Sequence, residues 1–164
     1  CGMVQKMKEK IIEMLKMQEA LDNSFLQYMG NDELDIEKVR MALFDELGEV
    51  NHEMKAEWCH WKKSQKPVDR DKLKEELADV YHFALTLHRF NHGFNFDERY
   101  IRYGEKIHED DNWFDMIKIV LESSFCHLYE VIILTEKLGF TFDEMYQAYI
   151  DKNKENYERM KRGY

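Results

Sequence analysis

The sequence predicts an all-α fold, an antiparallel helical bundle. Apolar residues recur at three- and four-residue spacing through long segments, the mark of one buried helix face. Seven Gly and one Pro in 164 residues are few breakers. No segment alternates convincingly with the period of two that a half-buried strand needs. A chain of this length can bury a real core, and 44% hydrophobic with 35% charged residues is a globular composition.

The first helix is expected over 4–29, with Ile11, Ile12, Leu15, Ala20, Leu21 and Phe25 inward; "GND" at 30–32 ends it. A long helix follows from about Ile36 to Lys63, on Ile36, Val39, Leu43, Leu47, Val50, Met54, Trp58 and Trp61. "SQKPVDRD", 64–71, is a loop around the single proline. The third helix runs from about Asp71 to Asn91 on Leu73, Leu77, Val80, Ala84 and Leu87, and "NHGFNFDE" breaks it. A short helix is expected over 97–108 and a polar loop at "HEDDNW". Another helix spans about Trp113 to Leu138 and stops at Gly139. Thr141 or Asp143 caps the last helix, which reaches about Arg162. One domain over 3–164 is expected, with Cys1 and Gly2 as cloning remnants ahead of a natural start at Met3.

Charge narrows the function classes. A net charge of −9 lacks the basic footprint of a nucleic-acid-coating protein, but a nucleotide whose charge is met by metal ions stays open. No apolar run is long enough to span a membrane. Cys59 and Cys126 have no CxxC partner and read as reduced thiols of a cytoplasm-like compartment. The histidines form no HExxH pattern, so zinc is not expected.

"FDELGEV", 44–50, sets Glu46 and Glu49 three apart; "KEELADVYHF", 74–83, sets Glu76 and Asp79 likewise. At 100° per residue, with Leu43 at zero, Glu46 lies at about −60°, Glu53 at about −80° and Glu49 at about −120°. They border the apolar stripe instead of opposing it. On the next helix, with Leu77 at zero, Glu76 lies at about −100° beside Phe83 at about −120°, Asp79 at about −160° and Glu75 at about +160°. Two such helices packed antiparallel would gather four carboxylates. At about 5 Å each pair repels by roughly 3 kcal/mol at an effective dielectric of about 20. Protonation or cations must offset that, and hard oxygen ligands suit Mg²⁺ or Mn²⁺. Spacing alone also permits two solvated faces.

The order "ELGEV" then "EELADVYHF" resembles the ExxE…ExxD signature of the all-α (MazG-like) nucleoside triphosphate pyrophosphatases. Three further stretches, "MQEALD" (17–22), "WCHWKK" (58–63) and "AYIDKNKENYERMKRGY" (148–164), are similar to motifs of the dimeric dUTPases within that superfamily. The resemblance implies Mg²⁺-dependent hydrolysis of dUTP, with dUDP as a further substrate, in a cytoplasmic homodimer of bacterial or phage type. It implies metal ligands at Glu46, Glu49, Glu76 and Asp79, with Glu49 as the base and Glu46 as the alternative. It places Gln18 and Trp61 in the base pocket, Asp22 at the deoxyribose or the base, and His82 and Phe83, the dipeptide after ExxD, among the substrate-binding residues. Tyr149, Lys152, Asn156 and Arg159 fall to the phosphates and sugar. Met160 stands where many relatives carry Gln, and Asp22 where some carry Asn. Two other readings remain open: a house-cleaning pyrophosphatase for dCTP or modified nucleotides, and a non-enzymatic helical adaptor whose acids are surface.

Overall fold

The computed structural model describes residues 2–164, with Met3 and Val4 as backbone. Cys1, expected as a cloning remnant, lies outside the described residues. Eight helices form among the described residues: α1 (Gly2–Met29), α2 (Ile36–Glu53), α3 (Lys55–Trp58), α4 (Arg70–His92), α5 (Arg99–Ile107), α6 (Trp113–Glu122), α7 (His127–Lys137) and α8 (Phe142–Lys161). The all-α expectation holds.

Local chemistry sets most boundaries. Asp35 and Asp69 begin α2 and α4, each side chain accepting from two backbone N–H groups of the first turn. Asn112 begins α6 and Thr141 begins α8, both with reciprocal capping boxes. Gly139, at φ 81°, lets the chain turn sharply between α7 and α8, a backbone conformation that a side chain resists.

Two expected helices break. The one expected to reach Lys63 ends at Glu53, with a short α3 after it. There the Trp58 indole donates to the Asn51 carbonyl at 2.8 Å, occupying an acceptor that a continued helix would use. Trp61 therefore leaves the helical register and is 64% exposed, not on the buried stripe. The helix expected over 113–138 splits at 123–126. Ser123 is extended and its hydroxyl accepts from the Cys126 N–H at 3.2 Å, so it closes one helix and starts the next.

Helix α4 is the centre, packed against α1, α2, α7 and α8. From Leu77 to His88 it is buried nearly all round, as an axial helix must be. Leu73, Leu77, Tyr81 and Leu85 have no exposed surface. Each such leucine contributes about 1.5–3 kcal/mol by leaving water. Tyr81 bonds Thr135 of α7 at 2.7 Å. The apolar run of α7, Val131 to Leu134, is spent on this core and offers no spare face. Against this axis, α1, α2 and α8 present their polar edges to a common cleft.

Candidate active site

Helices α2 and α4 bring Glu46, Glu76 and Asp79 together. One carboxylate oxygen of each lies within 4.8 Å of the others, and no other acidic, His or Cys group this tight occurs among the described residues. All three are half-buried. Glu75, placed on the wet side by its helical angle, is exposed. Glu49 is exposed one turn along α2, outside the trio, though its charge acts on both Glu46 and Glu76. Glu53 is drawn off by Lys72 at 3.2 Å.

The trio is electrostatically frustrated. Burial, then Asp79 and Glu76, push the Glu46 carboxyl up to about 7. Glu76 is raised by burial, Asp79 and Glu49. Burial also raises Asp79, opposed by Lys152 of α8, whose Nζ lies 3.1 Å from Asp79 Oδ2. Octahedral Mg²⁺ holds its oxygens about 2.1 Å away, so bound carboxylate oxygens sit within about 4 Å of one another. The trio is close to that spacing, and hard, anionic oxygen donors are the right type for such an ion.

Beside the trio lies a cavity of about 360 Å³. Gln18, Asp22, His82, Phe83, Asn156 and Arg159 line it together with Glu46 and Asp79. It thus joins the acids to an apolar wall with sparse polar groups, a form suited to a flat heterocycle. Arg159 bonds Glu155 at 2.8 Å and lies 5.6 Å from the Tyr164 ring at the same cavity. Lys152 reaches the trio through Asp79.

Two expected residues sit elsewhere. Tyr149 is wholly buried behind the cavity, its hydroxyl donating to Gln18 Oε1 at 3.0 Å. Trp61 stands away from the cavity, 5.8 Å from Trp58 and 5.1 Å from His60 between ring centroids. Asp22 is held by Gln18, Thr86 and Arg89 and has little left for a ligand. The sequence reading passed over Thr86, Arg89 and Tyr164. The first two could have been found, since His82, Thr86 and Arg89 follow i, i+4, i+7 on one face of α4.

A comparison with curated proteins finds no match. A sequence model of the family described as dUTPase matches residues 10–164, a span that holds every residue of the trio and of the cavity. The all-helical fold and this match agree, and the chain belongs to the dUTPase family, enzymes that hydrolyse dUTP.

Proposed function

We propose that the chain hydrolyses dUTP to dUMP and pyrophosphate, and dUDP to dUMP and phosphate, with Mg²⁺ at the acidic trio and Mn²⁺ as a substitute. The observation that carries this reading is the meeting of Glu46, Glu76 and Asp79 from two helices beside a cavity of base size. Divalent metal held there would supply charge neutralisation on the phosphates and a lowered pKa for bound water. Glu46, Glu76 and Asp79 would hold it, with Glu49 as a fourth carboxylate or as the base that orients water and takes its proton. Glu46 is the alternative base, since its raised carboxyl is poised near neutrality.

Lys152, 3.1 Å from Asp79, and Arg159, which lines the cavity, would stabilise charge on the non-bridging oxygens. Asn156 sits between them on α8 for the sugar. Phe83 offers a face for the base, and Gln18 and His82 its hydrogen bonds. Trp61 joins this set only by a movement of the 59–69 segment toward the cleft.

A second copy of the chain is proposed as the partner. Exposed Met41, Phe90, Phe114 and Phe125 supply apolar surface for it. The thiols of Cys59 and Cys126, free among the described residues, accord with a reducing cytoplasm. Among the described residues, no helix is long and apolar enough to cross a membrane.

A nucleotide panel tests the reaction. Phosphate release after added inorganic pyrophosphatase should be highest with dUTP and vanish with chelator. Faster turnover of dCTP than dUTP would sink the assignment in favour of a broader house-cleaning role.

A further inference from the structure

Asp22 has no oxygen to spare. Its Oδ1 accepts from Gln18 Nε2 at 2.9 Å. Its Oδ2 accepts from Thr86 Oγ1 at 2.9 Å and from the Arg89 guanidinium at 2.7 Å. Burial raises its pKa and the three donors oppose this; the Arg89 guanidinium, always charged and 2.7 Å from Oδ2, pairs with the carboxylate form.

An ionised carboxylate can only accept, so Gln18 must turn its amide nitrogen toward Asp22. Gln18 Oε1 then faces the other way, 2.7 Å from His82 Nδ1 and 3.0 Å from the Tyr149 hydroxyl. A carbonyl oxygen also only accepts, so His82 carries its proton on Nδ1. The ring is neutral: burial, then Lys152, push its pKa down to about 3. Its Nε2 is therefore a bare acceptor. That atom is buried with no partner among the described residues, on a ring that is 4% exposed. Gln18 Nε2 keeps one N–H beyond the one given to Asp22. Both side chains line the cavity.

We infer that the chain Arg89–Asp22–Gln18–His82 sets the hydrogen-bond polarity of the cavity wall, and that Arg89 and Thr86 are specificity-determining positioning residues that select a base edge pairing a carbonyl with an adjacent N–H. The inference rests on reading this cavity as the base site. The wall offers one donor and one acceptor. Uracil presents a carbonyl beside N3–H, the complement. Cytosine presents a lone pair at N3 beside an amine, the inverse once the sugar fixes which wall group meets N3. Gln18 turned over, with the His82 proton on Nε2, would serve cytosine equally well. Neither Gln18 nor His82 can choose between these states alone. Arg89 and Thr86 choose, because they keep Asp22 an acceptor and so forbid the Gln18 flip. A wrong edge leaves buried groups unpaired, the kind of penalty that gives strong rejection.

Two measurements on the full chain test this. Long-range ¹H–¹⁵N correlation reads the His82 tautomer, and calorimetry compares binding of dUMP and dCMP. The wild type should show Nδ1–H and prefer dUMP. Arg89→Met should cut that preference at least about tenfold, and Arg89→Lys, which restores the cation, should recover most of it. Thr86→Val keeps the shape, removes one donor and should cut the preference a few-fold, which carries the test if Arg89→Met does not fold. An Nε2–H tautomer in the wild type overturns the inference. So does binding of neither nucleotide, or a preference unmoved in the folded variants. A protein that prefers dUMP yet turns over no dUTP sinks the proposed reaction while supporting this inference.

Discussion

Asp22 and Asp79 are both largely buried aspartates on bundle helices, yet their surroundings are opposite. Every oxygen of Asp22 is answered, by Gln18, Thr86 and Arg89. Asp79 has Lys152 and faces Glu46 and Glu76 within 4.8 Å. The first acid is a structural joint that holds α1 against α4. The second belongs to a cluster whose repulsion the protein leaves partly unmet. A buried charge with complete partners organises a wall; a buried charge among its own kind is kept for a cation from outside.

The sharpest way to break this contrast is at the cluster. Glu49→Gln and Glu76→Gln should each lower kcat for dUTP at least about a thousandfold, as loss of a metal ligand or base does, with melting temperature little changed. Near-normal turnover in Glu49→Gln would remove it from the site. At the joint the effect moves from rate to stability. Asp22→Ala leaves Arg89 without its closest partner and should cost about 3–5 kcal/mol in urea unfolding. A loss under about 1 kcal/mol would show that Asp22 is no joint.

The cluster also predicts a pH dependence. Between about pH 4.5 and about 7 the folded protein keeps a proton on Glu46 that the unfolded chain has released. The Glu46 share of metal-free stability therefore falls as pH rises through that window. His82 and His127, kept neutral by burial, act with the opposite sign below about pH 6.5, and Glu136, lifted to about 7 by burial and Glu105, acts with the sign of Glu46, so the Glu46 share is read as the difference between wild type and Glu46→Gln. In chelator that difference should turn against the wild type from pH 5.5 to pH 8, and excess Mg²⁺ should raise wild-type melting more at pH 8. The smallest effect is expected at Trp61. Trp61→Ala should change stability by under about 0.5 kcal/mol, since the ring is exposed. A rise in KM for dUTP in that variant would show the 59–69 segment closing on substrate.

Legibility in the sequence followed the range of the interaction. The 100° geometry placed Glu46 and Glu76 at the rim of their stripes and Glu75 in water, and the structure agrees. The same geometry failed at Trp61, because it assumed a helix that Trp58 ends by taking the Asn51 carbonyl. It failed again at 123–126, where Ser123 caps the following turn. Those are side-chain interruptions of a strong apolar pattern, and periodicity does not register them. Tyr149 lay in a motif and could be named, but its placement behind Gln18 depends on how α8 meets α1.

By itself the sequence determined the all-α class, where most helices begin, the cap of α8, the apolar faces and the motif order that marks the dUTPase family, because each depends on residues a few positions apart. Only the tertiary structure decided which acids meet, that Glu49 stands outside the trio, and that Asp22 is bound by Thr86 and Arg89. Those outcomes depend on the rotation and depth at which α1, α2 and α8 pack on α4. A shift of a few ångströms there changes a carboxylate from joint to ligand, since both Coulomb energy and hydrogen bonding fall steeply over that distance.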